Sequence, residues 1–229
     1  NSTDMNKKIG VFWIREDFRI LKNSALAAAT RNHDQVVAIY IFKKDLFNDR
    51  EAQSWWIYKS LENYKSDLEK FNINLQILQA NEYASVFKNL LKRNNFSIYW
   101  NKIYEPKYLK LDEKISKILI SEKIDFKIFR GNILNEFDEV KKLDNTPFRV
   151  FTPYWRSAER VFLEKVPSPN VKIKKCKKIT NLKCDDTNIQ KIFSNKKWHS
   201  KFEANWIPSE QSALQRLRDF FNQKASNYA

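Results

Sequence analysis

The sequence predicts an α/β fold with a doubly wound, five-stranded parallel sheet of the Rossmann-like type. Two observations indicate this fold. The composition is 42% hydrophobic and 14% aromatic, which suffices for a globular core in a chain of 229 residues. Through about the first 130 residues, short apolar runs alternate with longer amphipathic stretches, which is typical of βαβ units. Right-handed crossovers between such units favour the strand order 3-2-1-4-5.

The elements follow in order along the chain. Short runs of aliphatic and aromatic residues predict five strands, at residues 9–14, 36–42, 75–78, 97–100 and 126–129. The amphipathic stretches between them predict helices at residues 24–31, 50–71, 83–93 and 107–122. The second helix has the clearest pattern, because its apolar residues are spaced to fill one face: Trp56, Leu61, Tyr64, Leu68 and Phe71.

The pattern changes after the sheet, so the sequence predicts an α/β core followed by three further parts. Residues 1–132 form the α/β core, and residues 133–166 leave it through a turn and a short helix that starts after Pro153. Residues 167–205 are basic and asparagine-rich, with too few apolar residues for a core of their own, which is typical of an interdomain linker.

Residues 206–229 resume a helical pattern with Ser209 as the N-cap. Apolar residues then recur on one side of the predicted helix, and that side needs a partner. We therefore expect this part to be the first element of a helical domain whose remainder lies outside this chain.

The net charge of +15 predicts an anionic partner, and nucleic acid is the first candidate because phosphate contacts need lysine and arginine. Residues 165–201 hold eleven lysines against two aspartates and contain no arginine. Such a run is also typical of a solvated connector, so both interpretations stay open. No apolar run reaches the roughly 20 residues of a membrane span, and residues 1–8 carry no secretion signal. We expect a cytoplasmic protein that does not bind membranes.

Several kinds of catalytic site are excluded by residue type. Gly10 and Gly131 are the only glycines, so neither a G-x-G-x-x-G motif nor a phosphate-binding P-loop is present. His33 and His199 have no evident serine or cysteine partner. The two cysteines have no nearby histidine pair and are expected to be free thiols. We therefore predict no catalytic residue and no metal site in this chain.

Ligands of doubly wound sheets bind at the carboxyl ends of the strands, near the switch between strands one and four. This rule selects the loops at residues 15–23 and 101–107. The first loop holds Arg15, Asp17 and Arg19 directly after a strand. In the structural interpretation, Asp17 pairs with one of the arginines and pins the loop. In the functional interpretation, the arginines face a chromophore or a neighbouring domain.

Four segments resemble motifs of the DNA photolyase/cryptochrome family. Residues 12–20 and 23–26 read FWIREDFRI and NSAL, and they are similar to the family's W-F-R-x-D-L-R and D-N-x-A-L. The NKIYEP of residues 101–106 resembles N-x-x-Y-E-P, and the TPFRVFTPYW of residues 146–155 resembles G-x-P-Y-x-V-F-T-P-F. Residues 206–228 are similar to the start of the family's helical flavin domain. All four occur in the family's order and spacing, so the chain is identified as a member by resemblance.

The resemblance implies that this chain is the amino-terminal antenna domain and linker of a deoxyribodipyrimidine photo-lyase, a light-driven carbon-carbon lyase. In that family, reduced FAD passes an electron to a cyclobutane pyrimidine dimer in DNA, and the dimer splits. The implied partners are damaged DNA and the carboxyl-terminal helical FAD domain. We expect the chain to be a monomer and to be inactive alone. Two alternatives stay open: a cryptochrome-type blue-light photoreceptor and a freestanding nucleotide-binding α/β module.

The resemblance also names candidate cofactor-binding residues. Tyr228 matches a tyrosine that contacts FAD in the family. Folate-using relatives have an Asn-Glu pair where this chain has Lys107 and Tyr108, so the antenna chromophore is open between a folate, a deazaflavin, a flavin and none. If an antenna binds, we expect Arg15, Asp17 and Tyr108 to lie near it.

Overall fold

A computed structural model describes residues 8–43, 50–133, 136–164, 171–185, 187 and 199–225. Its centre is one parallel sheet with the strand order β3-β2-β1-β4-β5. The strands are β1 (Ile9–Ile14), β2 (Val36–Phe42), β3 (Asn74–Gln79), β4 (Phe96–Asn101) and β5 (Phe126–Phe129). The predicted fold class and strand order are confirmed, and the predicted bounds of all five strands agree to within one residue.

Helices connect the strands as predicted: α1 (Ser24–Asn32), α2 (Glu51–Glu69), α3 (Tyr83–Arg93) and α4 (Pro106–Ser121). Local sequence explains where two of them begin. The side chain of Asn23 accepts a hydrogen bond from the backbone N–H of Leu26 at 3.2 Å and so caps α1. Pro106 lies in the first turn of α4, where its missing N–H would have no partner within the helix. Predicted and observed bounds agree to within two residues.

Both faces of the sheet are buried, because helices cover a parallel sheet on two sides. Alternate residues of β1 supply the two halves of the core. Phe12 and Ile14 pack with α1 and α2, whereas Val11 and Trp13 pack with α3 and α4. All four side chains are at most 1% exposed. Burial of each such side chain stabilises the fold by about 1.5–3 kcal/mol relative to leaving it in water.

The predicted apolar face of α2 is correct at three positions and wrong at one. The fifth position, Phe71, lies two residues beyond the end of the helix and packs half-buried against the core. Leu61, Tyr64 and Leu68 are at most 2% exposed and belong to the core. Trp56 is 42% exposed, and its neighbour Trp55 is 5% exposed instead. Adjacent helical residues differ by only about 100° around the axis, so a pair of tryptophans at the edge of the apolar face leaves the choice to tertiary packing.

Three more helices are described after the sheet: α5 (Phe151–Glu164), α6 (Ser200–Asn205) and α7 (Glu210–Gln223). The predicted short helix after Pro153 is α5, but α5 begins two residues before that proline. Proline fits there because the first helical turn has N–H groups without intrahelical partners. The sequence does not predict α6, which lies inside the predicted linker. Ser209 caps α7 as predicted, since its Oγ accepts from the backbone N–H of Ser212 at 3.1 Å.

The start of α7 is attached to the loop after β1 and to α2. Glu210 accepts hydrogen bonds from the backbone N–H groups of Ile20 and Leu21 at 2.7 and 3.0 Å. The rings of Trp206 and Trp56 lie 5.9 Å apart. No residue in the described part of α7 is buried. On its predicted apolar side, Leu217 and Phe221 are 51% and 64% exposed, whereas Leu214 and Phe220 are half-buried. Within the described ranges, no helix combines the length and the apolar character that a bilayer span requires.

Candidate functional site

The candidate site lies at the carboxyl ends of β1 and β4, where the switch in strand order predicts it. β1 runs directly into residues 15–17, and β4 ends at Asn101. α4 passes over the same edge and brings Tyr108 and Asp112 into contact with Arg15. Three separate parts of the chain therefore form this edge, which we call the carboxyl edge.

Arg15 forms a buried ion pair at the carboxyl edge. Its Nη1 donates to Oδ1 of Asp112 at 2.6 Å, and the two side chains are 3% and 8% exposed. Burial raises the pKa of Asp112, and the positive charge of Arg15 offsets part of that rise. The expected pairing of Asp17 with an arginine is therefore wrong for Arg15. The carboxylate partner of Arg15 is Asp112 on α4. The order of residues in the loop after β1 does not predict that partner.

The guanidinium of Arg15 also contacts two aromatic rings. Its Cζ atom is 4.4 Å from the ring centroid of Trp13 and 4.9 Å from that of Tyr108. Cation–π attraction operates at these distances. Trp13 is fully buried and Tyr108 is half-buried, so the arginine links the interior of the sheet to a ring at its surface.

Tyrosine rings and a lysine complete the carboxyl edge. The hydroxyl of Tyr108 donates to Oε1 of Glu16 at 3.2 Å, and Nζ of Lys43 lies 5.5 Å from the ring centroid of Tyr83. Burial raises the pKa of Tyr40, Tyr83 and Tyr108, and the negative charge of Glu16 adds to the effect at Tyr108. All three phenols are therefore protonated at neutral pH. The half-buried rings of Tyr83 and Tyr108 suit stacking of a planar aromatic ligand.

Asp17 connects three elements of the fold. Its Oδ1 accepts from the backbone N–H of Arg15 at 3.1 Å, and its Oδ2 accepts from Nδ2 of Asn101 at 2.5 Å. The same Nδ2 donates to Oδ1 of Asn23 at 2.8 Å, and Oδ1 of Asn101 accepts from the N–H of Ala25 at 3.2 Å. The carboxylate therefore positions the loop after β1 against β4 and the start of α1.

A second polar cluster holds the exit from β5. The hydroxyl of Tyr104 donates to Oε1 of Glu136 at 2.6 Å, and Nζ of Lys102 lies 3.3 Å from the other carboxylate oxygen. Burial and the hydrogen bond to Glu136 raise the pKa of Tyr104 to about 12. A Cβ at Gly131 would lie 1.9 Å from the carbonyl oxygen of Lys102. The backbone can approach that closely only at a glycine.

The structure brings two of the four predicted cofactor-binding residues into direct contact. Arg15 and Tyr108 meet at the carboxyl edge, as described above. Asp17 lies beside them, but its carboxylate is used within the fold and is 9% exposed. Tyr228 lies outside the described residues.

The histidines and cysteines lie elsewhere in the structure. At the opposite end of the sheet, Nδ1 of His33 is 3.0 Å from the carbonyl oxygen of Lys8, and Nε2 is 3.0 Å from the hydroxyl of Tyr99. Cys176 is buried, Cys184 is half-buried, and neither forms a disulfide. In the part of the chain that the structure describes, no cluster of histidine, cysteine and carboxylate side chains is arranged to hold a metal ion.

Sequence reasoning missed Asp112 and Asn101. A signal for Asp112 is present, because Asp112, Ile115 and Leu119 recur at helical spacing and form the buried stripe of α4. A carboxylate on an apolar stripe requires a buried partner. Asn101 begins the NKIYEP segment, but its position there does not predict the hydrogen bonds that it makes. Tyr83 has no local signal, because only the packing of α3 brings it to the carboxyl edge.

Comparisons with known proteins match the part of the chain that contains the sheet and the carboxyl edge. The family model for DNA photolyase matches residues 10–170. The deoxyribodipyrimidine photo-lyase of Agrobacterium fabrum is 27% identical over 219 residues, which cover 95% of this chain and 46% of that enzyme. Cryptochrome-2 of Arabidopsis thaliana is 26% identical over 169 residues, which cover 72% of this chain and 27% of that protein.

A solved structure shows the same architecture. The crystal structure of a bacterial class III photolyase from Agrobacterium tumefaciens superposes with a TM-score of 0.77 at 25% identity. The superposition covers 96% of this chain and 46% of that one. This chain therefore spans less than half of the length of the relatives named here.

Proposed function

Because the chain belongs to the DNA photolyase family, we propose that it is the amino-terminal part of a light-driven DNA-repair enzyme that splits cyclobutane pyrimidine dimers. The observation that carries this proposal is the match of the family model to residues 10–170. The sheet order of the same residues supports it. The alignment with the Agrobacterium photo-lyase covers 95% of the chain and so extends beyond the sheet.

The proposed enzyme uses FAD, which supplies the electron that opens the dimer and takes it back. The carboxyl edge does not suit FAD as a dinucleotide site, because Gly10 lies within β1 and Gly131 follows β5, so no glycine-rich loop cradles a diphosphate there. We therefore propose that FAD binds a helical domain that residues 206–229 begin, with Tyr228 contributing to that site. This chain alone is expected to retain no FAD and to repair no DNA.

The α/β core, residues 1–132, is proposed to hold an antenna chromophore at its carboxyl edge. Half-buried Tyr108 offers a ring face for stacking, and Lys43 places a positive charge beside Tyr83. Arg15 supports Tyr108 from the interior, and its Nη2 has no hydrogen-bond partner among the described residues. Asp17 acts as a positioning residue through Asn101. A folate, a deazaflavin and a flavin share the planar, polar ring system that this edge suits.

Ligand titration tests the antenna proposal. The chain is titrated with a folate, a deazaflavin and FMN in separate experiments, and binding is followed by the anisotropy of ligand fluorescence. Aromatic stacking on a ring is worth about 1–3 kcal/mol, so Tyr108→Ala should weaken binding of the true ligand about 5- to 150-fold. Tyr58→Ala, at a half-buried tyrosine on α2, is the matched control. Failure of all three ligands to bind, or an equal loss in both variants, would contradict the proposal.

Dimer repair tests the proposed activity. The full-length protein that contains this chain is mixed with an oligonucleotide carrying one cyclobutane thymine dimer, and the loss of the dimer is measured under blue light and in the dark. We expect repair in the light only. Photoreduction of the flavin without any loss of the dimer would contradict repair and would indicate a cryptochrome-type receptor.

The alternatives have less support than repair. The Arabidopsis cryptochrome aligns with 72% of the chain, whereas the Agrobacterium photo-lyase aligns with 95%. A freestanding nucleotide-binding module does not account for the family match over residues 10–170.

A further inference from the structure

The basic segment after α5 is fixed to the α/β core along residues 171–185. Its backbone N–H groups donate to the core at three successive points: Lys174 to Oγ1 of Thr30 at 3.1 Å, Cys176 to the carbonyl of Phe71 at 2.9 Å, and Lys177 to the carbonyl of Asp34 at 3.0 Å. The side chain of Asn72 donates back to the carbonyl of Cys176 at 2.8 Å. This part of the predicted linker is therefore tied to α1 and to the carboxyl end of α2.

The second half of the segment is attached to β3 and α3. The N–H of Leu182 donates to Oε1 of Gln76 at 2.7 Å. The amide of Asn94 makes two hydrogen bonds with the backbone of Lys183, at 2.8 and 3.1 Å. Cys176 and Leu182 are 5% and 3% exposed and belong to the two halves of the core. Hydrogen bonds and burial at both ends hold the segment in one path.

The lysines of this segment are exposed, whereas its apolar residues are buried or half-buried except Ile179, which is 56% exposed. Cys176 and Leu182 are buried and Ile173 is half-buried, whereas every lysine between residues 171 and 185 is exposed. We call these lysines the lysine edge: Lys172, Lys174, Lys175, Lys177, Lys178 and Lys183. Asp185 is the only carboxylate in the same stretch of sequence. Lys177 pairs with Asp34 at 3.0 Å. The six lysines still outnumber Asp34 and Asp185, so the edge carries a net positive charge on a fixed backbone.

We propose that the lysine edge binds the phosphate backbone of DNA without reading its sequence. Six exposed lysines stand within residues 171–185, and clustered lysines of this kind neutralise the phosphates of a nucleic acid. The segment has no arginine, the residue that most often reads a base edge, so its lysines act as point charges towards phosphates.

A fixed lysine edge differs physically from a flexible basic tail. When the side chains of a mobile linker bind a ligand, the backbone of the linker becomes ordered and loses conformational entropy. This loss costs roughly 1–2 kcal/mol per ordered residue. Here, folding of the core has already ordered the backbone, through the hydrogen bonds of residues 174, 176, 177, 182 and 183. The edge therefore offers several phosphate contacts at a smaller entropic cost. The choice of DNA over another polyanion rests on the proposed function, whereas the contact itself requires no lesion and no flavin.

The test compares two triple variants of this chain. Lys172→Gln/Lys174→Gln/Lys175→Gln removes three charges from the lysine edge. Lys110→Gln/Lys114→Gln/Lys117→Gln removes three exposed charges from α4. This helix connects β4 to β5, whereas the lysine edge lies on the β3 side of the sheet. Both variants have the same net charge. Far-UV circular dichroism and urea unfolding show that each is folded before binding is compared.

Binding to an undamaged, fluorescein-labelled 20-base-pair duplex is measured in the dark by fluorescence anisotropy, between 50 and 200 mM KCl. Each phosphate contact contributes about 0.9 to the slope of log K against log salt. We expect the lysine-edge variant to lose about 2 to 3 from that slope and about 10- to 100-fold in affinity at 100 mM KCl. The α4 variant should keep most of the slope. Single substitutions at the lysine edge should each lower the slope by about 0.9.

Equal slopes for the two triple variants would overturn this inference. That result would leave the repair proposal untouched, because the duplex carries no dimer and the assay uses no light. Conversely, a full-length protein that fails to repair dimers while its lysine-edge variant still shows the reduced slope would overturn repair and keep the DNA contact.

Discussion

Replacing Asp112 by alanine would leave the guanidinium of Arg15 in the protein interior without its anionic partner. The two groups are 2.6 Å apart, and their side chains are 8% and 3% exposed, so water replaces the lost carboxylate poorly. Removing one partner of a buried ion pair costs about 3–5 kcal/mol. A domain of this size has an unfolding free energy of roughly 5–15 kcal/mol. Asp112→Ala should therefore remove a large share of the stability of the fold.

Urea unfolding of the purified chain, followed by tryptophan fluorescence and far-UV circular dichroism, measures this loss. With an m value of about 2 kcal/mol/M, a loss of 3 kcal/mol lowers the midpoint by about 1.5 M. Asp112→Asn keeps an oxygen acceptor for Arg15 and should cost less than the alanine variant. Glu113→Ala, at the exposed neighbouring position, should change the free energy of unfolding by no more than about 0.5 kcal/mol. An Asp112→Ala midpoint equal to that of Glu113→Ala would refute the reasoning.

The same carboxyl group has a defined pH dependence. Burial raises the pKa of Asp112 above its ordinary value, so the folded protein holds this proton more tightly than the unfolded chain does. The stability that follows is complete below the ordinary pKa and is lost as the pH rises through the folded pKa. Asp112→Asn has no such proton, so the difference in unfolding free energy between the two proteins should change over that interval. A constant difference across it would contradict the raised pKa.

Three further outcomes are expected. Burial lowers the pKa of His33. The stability that the neutral imidazole contributes is therefore present above its ordinary pKa and is lost as the pH falls through its pKa in the folded protein. His33→Gln should flatten the fall in melting temperature between about pH 7 and pH 5. Gly131→Ala should lower the unfolding free energy by about 1–3 kcal/mol in urea titrations, because the new Cβ would overlap the carbonyl oxygen of Lys102. Glu210→Ala removes the acceptor of two N–H groups at residues 20–21, so trypsin should cut within α7 faster, as mass spectrometry of the fragments would show.

The fold was largely predictable because its determinants are local. Strands buried on both faces read as continuous apolar runs, and the starts of helices are encoded by capping residues such as Asn23 and Ser209. The strand order follows from the handedness of the crossovers, which is nearly invariant. Where a local signal was ambiguous, as between Trp55 and Trp56, contacts formed by distant residues decided the outcome.

The contacts at the carboxyl edge were only partly predictable. The switch in strand order selects this edge as a candidate site, and the loop after β1 places Arg15 there. Ligand binding at this edge stays a prediction. The partner of that arginine is 97 residues away in sequence, and Asn101 acquires its role only when β1, β4 and α1 meet. Ion pairs and hydrogen-bond networks depend on side-chain placement in three dimensions, and a single sequence does not reveal that placement.

The anchored segment that follows α5 also protects the sheet. β3 is an edge strand, and an uncovered edge invites pairing with a strand of another molecule. The carbonyl oxygen of Ile77 on this strand is taken by the N–H of Thr187 at 2.7 Å, and Gln76 is engaged by Leu182. These contacts cover part of the β3 edge and so disfavour pairing of that edge with a strand of another molecule.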